Sequence, residues 1–361
     1  MRLSWLEVRD FRNHAELSLE IPAGLTTVVG PNGRGKTNLL EAIHYLCTLE
    51  SPRVSGDLPL VRTGASQAFL RGEVESLGGR TLIEVEVRAT GQNRVQVNRS
   101  PVRRKRDLRR HVRSVFSGPD DLAVVQGDPS ERRRFMDEAV RALWPAKDGT
   151  AGAYERVLRQ RNRLLKDWMG GGEPEGLAAW DAELIAHGSA LTRARAAVVL
   201  AIRERAGAEF RALSAGSQEA LVVTYQPSVE GEPLEEAFAE RLAIRREDEL
   251  IRRSTLVGPH RDDLGLVVQG LAARGFASHG EAWGAAVALR LALADAVGAE
   301  MGEHPITLLD DPFSALDPDR RKRLGSGLDS RGQLLIAVPD EAQIPSGSTV
   351  WCAEEAGIVP R

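Results

Sequence analysis

Gly30-Pro31-Asn32-Gly33-Arg34-Gly35-Lys36-Thr37 fits the phosphate-loop pattern GxxxxGK[ST] at every position. Glycines at its bends let backbone N–H groups turn inward around phosphate oxygens. Lys36 is placed to neutralise β- and γ-phosphate charge, Thr37 to offer its hydroxyl to Mg2+, and Asn38 follows directly. A helix starting here adds its positive end. The context agrees, because the apolar run Leu25–Val29 precedes the loop and Leu39, Leu40, Ile43 and Leu46 follow at helical spacing. Farther on, Ile306-Thr307-Leu308-Leu309-Asp310-Asp311 is an apolar strand ending in two acids. Alone, such a pair is as readily a turn or a helix cap. With a phosphate loop upstream it reads as a Walker B strand, Asp310 in the Mg2+ coordination sphere and Asp311 orienting or deprotonating a water. Lys36 and Asp311 are the expected catalytic residues.

Two further segments could complete such a site. Ser278-His279-Gly280-Glu281 precedes a long apolar helix, and a hydroxyl, a glycine backbone and a helix N-terminus together attract anions. The tetrapeptide resembles the signature loop of ABC-type ATPases, which reaches the γ-phosphate held by a partner subunit, so Ser278 and Gly280 join the nucleotide-binding set. The match is partial: no Lys or Arg follows Glu281, and Trp283 stands nearby. Ser314-Ala315-Leu316-Asp317 resembles the D-loop of the same class and is equally readable as a helix cap by Asp317. His260 and His279 have no partners at metal-ligand spacing. A basic run, Arg103, Arg104, Lys105, Arg106, Arg109 and Arg110, contains one acid, Asp107. Such clusters neutralise DNA phosphates without reading sequence, although charge runs are often solvated or paired internally. Arg132–Arg134 and the helix Arg156–Arg163 add to the basic surface. Aromatic residues are not interleaved, so base stacking is not expected.

The elements that must position these residues follow from pattern. Residues 1–30 read as three short strands, and residues 68–99 as a strand meander turned at Gly78-Gly79 and Gly91–Asn93. Residues 130–215 read as helices broken at Trp144-Pro145 and at Gly170–Gly176, the tip of an antiparallel pair. A strand Ala220–Tyr225, a helix Leu234–Arg253, a strand Asp263–Gln269 and a helix Trp283–Met301 lead to an α/β tail, with strands Ile306–Leu309 and Leu334–Val338 around a helix near Asp317–Leu328. The expected fold is α/β, an ABC-type ATPase head with a mixed sheet and a mainly helical second domain. Residues 1–113 and 285–361 would form the ATPase lobe, and 114–284 the helical arm and signature lobe. With 361 residues, 42% apolar and 27% charged, a large core is within reach and disorder is disfavoured. The net charge of −3 restricts any DNA contact to a local patch. Two cysteines without a Cys/His cluster, and no continuous apolar run of about 18 residues, point to a soluble cytoplasmic chain.

The motifs together resemble the bacterial RecF family along nearly the whole chain. Phe11-Arg12-Asn13 with Gly30–Ile43 is similar to its opening. Pro119-Asp120-Asp121-Leu122, continuing through Gly127-Asp128-Pro129 to Arg132-Arg133-Arg134-Phe135-Met136-Asp137, resembles its own signature. Thr255–Leu264 resembles a second block, and Asp310-Asp311 matches its aspartate where transporters carry glutamate. The resemblance implies a head related to chromosome-maintenance and break-repair ATPases without their long coiled coil. It implies ATP-driven dimerisation, with ATP and Mg2+ as cofactors, slow DNA-stimulated hydrolysis, and work with RecR and RecO in loading RecA at single-strand gaps, in DNA repair, replication restart and the SOS response. By position it places Arg12 near the phosphates, Gln126 as the Q-loop glutamine that meets Mg2+, and Ser278 against the partner's ATP. Val338-Pro339-Asp340 stands where many ABC ATPases have a switch histidine, and Ala315 where the family commonly has Glu or His.

A transporter nucleotide-binding subunit shares the phosphate loop and the acidic strand. It requires roughly 100 residues between loop and signature, whereas Lys36 and Ser278 are about 240 apart here. A small-molecule kinase leaves the signature and the basic run without a role. Asp311 is one methylene shorter than glutamate, about 1.5 Å less reach, so slow turnover is expected.

Overall fold

The computed structural model describes residues 1–214, 220–328, 331–355 and 357–361. The chain opens with β1 (Arg2–Phe11), β2 (His14–Glu20) and β3 (Leu25–Val29), then α1 (Lys36–Thr48). β4 (Gln67–Ser76), β5 (Gly79–Arg88), β6 (Arg94–Val97) and β7 (Ser100–Pro101) form the expected meander. α2 (Lys105–Leu108) and β8 (Ser114–Ser117) follow. Next come α3 (Leu122–Gln126), α4 (Pro129–Leu143), α5 (Thr150–Asp167), α6 (Leu177–Leu213), β9 (Leu221–Gln226), α7 (Leu234–Ile244) and α8 (Arg246–Arg252). The last third is β10 (Asp263–Val268), β11 (Leu271–Ala272), α9 (Ala273–Phe276), α10 (His279–Met301), β12 (Ile306–Asp310), α11 (Pro318–Ser326), β13 (Leu334–Val338), β14 (Thr349–Glu354) and β15 (Gly357–Pro360).

Three sheets result, ordered β2-β1-β4-β5-β6-β7, β15-β14-β3-β13-β12-β8 and β11-β10-β9. The first is antiparallel and alternates buried with exposed residues, as a sheet with one wet face must. The second is parallel except at β15, and every residue of β3, β12 and β13 is buried. That is why those strands read as mostly apolar runs, with Thr26, Thr27 and Thr307 as buried exceptions. α1 lies between the two larger sheets, its Leu39, Leu40, Ile43 and Leu46 fully buried.

Helices α4, α6 and α10 share a second core with β9 and β10. Alanines at 282, 285, 286, 288 and 292 let α10 run buried all round, with no polar face. α6 and α10 are long and apolar enough to cross a membrane by length and composition, but α10 is almost wholly enclosed by protein. α5 and α6 form the arm hairpin, turned at Gly170–Gly172, where positive φ values of 99°, 95° and 103° suit glycine.

Several boundaries differ from expectation. The lobe limit at 113/114 falls just before β8, which pairs with β12 and completes the nucleotide-side sheet. The limit at 284/285 cuts α10, a continuous helix. The expected helix Leu234–Arg253 is two helices meeting at Arg245, with no Gly or Pro to announce the break. β8, β14 and β15 are short and were not expected.

Candidate nucleotide site

The phosphate loop connects buried β3 to α1, and its glycines are required individually. Gly33 and Gly35 have φ of 82° and 90°. A Cβ on Gly35 would lie 2.7 Å from Asn13 Nδ2, and one on Gly30 2.6 Å from the Ala353 carbonyl of β14. The C-terminal strand therefore backs the loop, and an exposed Arg34–Glu355 pair at 2.8 Å joins the same two regions. Lys36 is buried, and Nζ donates to the carbonyls of Gly30 (2.5 Å) and Pro31 (2.9 Å). Burial lowers its pKa, while Asp310 and Asp311 oppose that shift. Asn38 Nδ2 donates to Asn13 Oδ1 at 2.7 Å.

Across 273 residues of sequence, Thr37 Oγ1 donates to Asp310 Oδ1 at 3.0 Å. Burial, with Asp311 adding to it, raises the Asp310 pKa to about 6 against the Thr37 hydrogen bond. Asp311 follows with φ 50°, an unusual conformation for a non-glycine residue. Its Oδ1 is buried with no hydrogen-bond partner. Burial raises its pKa also, opposed by Lys36 and Arg321 and reinforced by Asp340, which stands where many ABC ATPases have a switch histidine. A carboxylate with a raised pKa, a hydroxyl bonded to it, a second carboxylate with an orphaned oxygen and a lysine over a glycine loop fit Mg2+ and a triphosphate chemically.

Arg12 packs beside this loop, but its guanidinium is committed to buried Glu41 of α1 by two bonds, 2.8 and 2.6 Å, and to the Pro59 carbonyl at 2.9 Å. Its nearest relation to the loop runs through Asn13 and through His14, whose Nε2 meets the Gly35 carbonyl at 3.1 Å.

Gln126 is not among the residues that line the cavity shared by Thr37 and Asp310. It ends α3, exposed. β8 pairs Ser117 with Leu309, so the residues delivered beside Asp310 are Gly118–Asp121. With Thr37 and Asp310 they line a cavity of about 730 Å3 between the head and α4. In that cavity's wall Arg290 of α10 donates to both Asp121 oxygens (2.7 and 3.0 Å) and to Glu138 of α4 (2.6 Å). Sequence reasoning missed this triad, whose members are far apart in the chain.

Ser278 caps α10: its Oγ accepts from Glu281 N at 3.3 Å, and Glu281 Oε2 accepts from Ser278 N at 2.7 Å. The tetrapeptide is thus the cap and first turn of the helix, not a loop ahead of it. The S-x-x-E spacing is a capping-box signal that could have located this start. Ser278 is exposed, and among the described residues its side chain bonds to Glu281 alone. A Cβ on Gly280 would meet the Ala315 carbonyl at 3.2 Å, so the signature turn touches the D-loop segment. Trp283 Nε1 donates to the Pro312 carbonyl at 2.8 Å, one residue past Asp311. The tryptophan that weakened the signature match therefore binds the signature helix to the acidic turn.

The basic run divides. Arg109 is buried and pairs with Asp148 (2.7 Å) and Glu50 (3.1 Å), which removes it from the surface. Lys105 faces Glu50 at 3.7 Å, and Arg106 is half-buried. Arg103, Arg104 and Arg110 remain exposed. Arg132 is buried against Asp263, and Arg161 against Asp181 and Glu249.

A family model described as the RecF/RecN/SMC N-terminal domain matches residues 2–350. The DNA replication and repair protein RecF of Frankia alni is 42% identical over 365 residues, covering 97% of this chain and 96% of its own length. That of Streptomyces avermitilis is 42% identical, with 96% and 95% covered. Among solved structures, the recombination mediator protein RecF with ATP in the RecFOR pathway superposes with a TM-score of 0.88 at 27% identity, covering 99% of this chain and 97% of that one. The Smc head of Pyrococcus furiosus, with a TM-score of 0.59 and 15% identity, covers 99% of this chain and 95% of its own and shares the fold. The architecture is an α/β ABC-type head with a mainly helical second lobe and, among the described residues, no long coiled coil. The chain belongs to the RecF family.

Proposed function

We propose that this chain is a recombination mediator in DNA repair: a cytoplasmic, ATP-gated homodimer that binds DNA at single-strand gaps and works with RecR and RecO toward RecA loading. The names of its relatives support the repair role, and the solved RecF structure with ATP supports the nucleotide. One observation carries the dimer. Thr37 and Asp310 meet within one chain, while Ser278 stands exposed at a helix end and, among the described residues, its side chain bonds to its own first turn alone. The chain presents one closed half of a site and one open half, which two copies could exchange.

Bound ATP with Mg2+ would supply a cleavable anhydride. Lys36 holds positive charge at the loop, Thr37 and Asp310 would hold the metal, and Asp311 offers an oxygen able to take a proton from water. Burial raises its pKa, the direction that favours accepting a proton. The short aspartate suits weak, DNA-stimulated ATPase activity, as in a timer rather than a motor. Gly30–Asn38 would cradle the phosphates and Gly280 would face the partner's.

Sedimentation velocity with a slowly hydrolysed ATP analogue and gapped DNA tests this. Wild type should sediment as a dimer. Ser278→Arg should bind fluorescent nucleotide yet stay monomeric, and Lys36→Ala should lose both. A wild-type chain that stays strictly monomeric when saturated with both ligands overturns the reading.

A further inference from the structure

The block Thr255–Leu264 resembles a family motif, yet no residue of it enters the nucleotide site. Buried polar bonds pin it on every side. Thr255 Oγ1 accepts from Arg161 at 2.8 Å. Gly258 N and O both engage Ser228 Oγ, at 2.9 and 2.8 Å. Asp262, 1% exposed, accepts from Arg195, Tyr225 and Ser228 N. Fixing a backbone this firmly costs conformational entropy, and what it presents outward is Arg261, which is exposed.

Arg261 does not stand alone. With Arg241 of α7, Arg245 at the α7–α8 joint and Arg252 at the end of α8 it lines a cleft of about 280 Å3. Arg245 pairs with Asp248 at 2.8 Å. Arg241, Arg252 and Arg261 have no carboxylate within ion-pair distance among the described residues. In a chain of net charge −3, whose other arginines are largely paired, this is a concentration of unmatched positive charge. Apart from Ser228 the remaining lining is Leu256, half-buried, and Val257, buried, so the cleft offers no aromatic or open apolar anchor. Protein partners rely on such anchors, whereas a nucleic-acid backbone needs only cations and shape. The exposed Ile244 and Ile251 lie outside the lining.

We infer that Arg241, Arg252 and Arg261 form a phosphate-docking cleft for the DNA backbone, separate from the Arg103–Arg110 run. The inference rests on the DNA-binding reading above and names a surface for it.

The test is fluorescence anisotropy of a labelled gapped duplex, with the ATP analogue present, across a salt series. R241A/R252A/R261A should bind at least tenfold more weakly. Its slope of log affinity against log salt should fall by roughly 2 to 3, about 0.9 per lost phosphate contact. R261A alone should show about a third of that slope change, which guards against misfolding of the triple variant. An unchanged slope in a triple variant that still dimerises with nucleotide overturns the cleft and leaves the DNA reading intact. Wild-type protein with no salt-dependent DNA binding overturns both. Full DNA binding with lost affinity for a labelled polyglutamate peptide also overturns the proposal and makes the cleft a site for an acidic protein segment.

Discussion

The phosphate loop and the signature-like turn at Ser278 are built in opposite ways. The loop is held by strands from distant parts of the chain: β3 leads into it, β14 lies against Gly30, β13 accepts Gly30 N through Val338, and β12 brings Asp310 to Thr37. The signature turn has its own capping box, the Ala315 contact and an exposed surround in which Leu271 and Phe276 are 55% and 69% accessible. A half-site that closes within the chain can be rigid before any ligand arrives. In the proposed dimer the other half would be completed by the second copy. What couples them is α10, fastened near its start by Trp283 to the turn after Asp311 and twelve residues past Ser278 by Arg290 to the turn after β8.

Cutting the deeper fastening should have the largest effect. Arg290→Met keeps an apolar stem against the Phe135 ring, over which the guanidinium now sits at 5.2 Å. It leaves buried Asp121 and half-buried Glu138 without their cation. Removing one partner of a buried charge network costs about 3–5 kcal/mol. Urea unfolding should show that loss, and adding Asp121→Asn with Glu138→Gln should recover much of it. A single variant within about 1 kcal/mol of wild type would show that the two ends are not joined there.

How much of this contrast the sequence reveals depends on how local each signal is. The phosphate loop, β3, β12 and β13 announce themselves because parallel strands buried on both faces are mostly apolar, here interrupted only by Thr26, Thr27, Thr307 and the terminal Asp310. β14 does not: Thr349–Glu354 buries Trp351 and Ala353 on one face only, and six mixed residues resemble a loop. Without it Gly30 seems merely part of a motif, when in fact it faces the Ala353 carbonyl. Arg109 read as surface charge because its partners Glu50 and Asp148 are far away in the chain. Gln126 takes the Q-loop role by its position in the family resemblance, whereas position in the sheet, through Ser117 beside Leu309, brings Gly118–Asp121 to that neighbourhood. Pairings across long sequence separations carry the half-site geometry, and periodicity does not report them.

The closed end also contains a pH-sensitive group. His44 of α1 is buried, its Nδ1 bonded to Ser114 Oγ of β8 at 2.9 Å. Burial lowers its pKa from 6.5 to about 4; Glu138 and Glu50 oppose this, and Arg290 and Arg109 reinforce it. The unfolded chain therefore binds a proton between those values that the folded chain refuses. Its contribution is fully present above pH 6.5 and is lost as pH falls toward 4. By the size of the shift this is on the order of 3 kcal/mol. Comparing unfolding free energies at the two ends of that window, wild type should lose more stability than His44→Gln. Equal losses would place the acid sensitivity elsewhere.

The smallest effect on stability, and the most informative about the comparison, should come from Trp283→Phe. The ring stays in the core with Leu291 and Phe313, but the Pro312 carbonyl loses its only indole donor. A buried acceptor left unsatisfied costs about 1–3 kcal/mol, reduced here by the good packing of phenylalanine. Because Pro312 follows Asp311 directly, loosening that carbonyl frees the turn that holds the acidic side chain at φ 50°. On the proposed function, nucleotide affinity of the monomer would rest on Lys36 and Thr37 and should hardly change, while the proposed DNA-stimulated hydrolysis should slow. If affinity fell in proportion to the rate, the tryptophan would be supporting the loop end as well, and the division between a self-sufficient half and a dependent half would have to be redrawn.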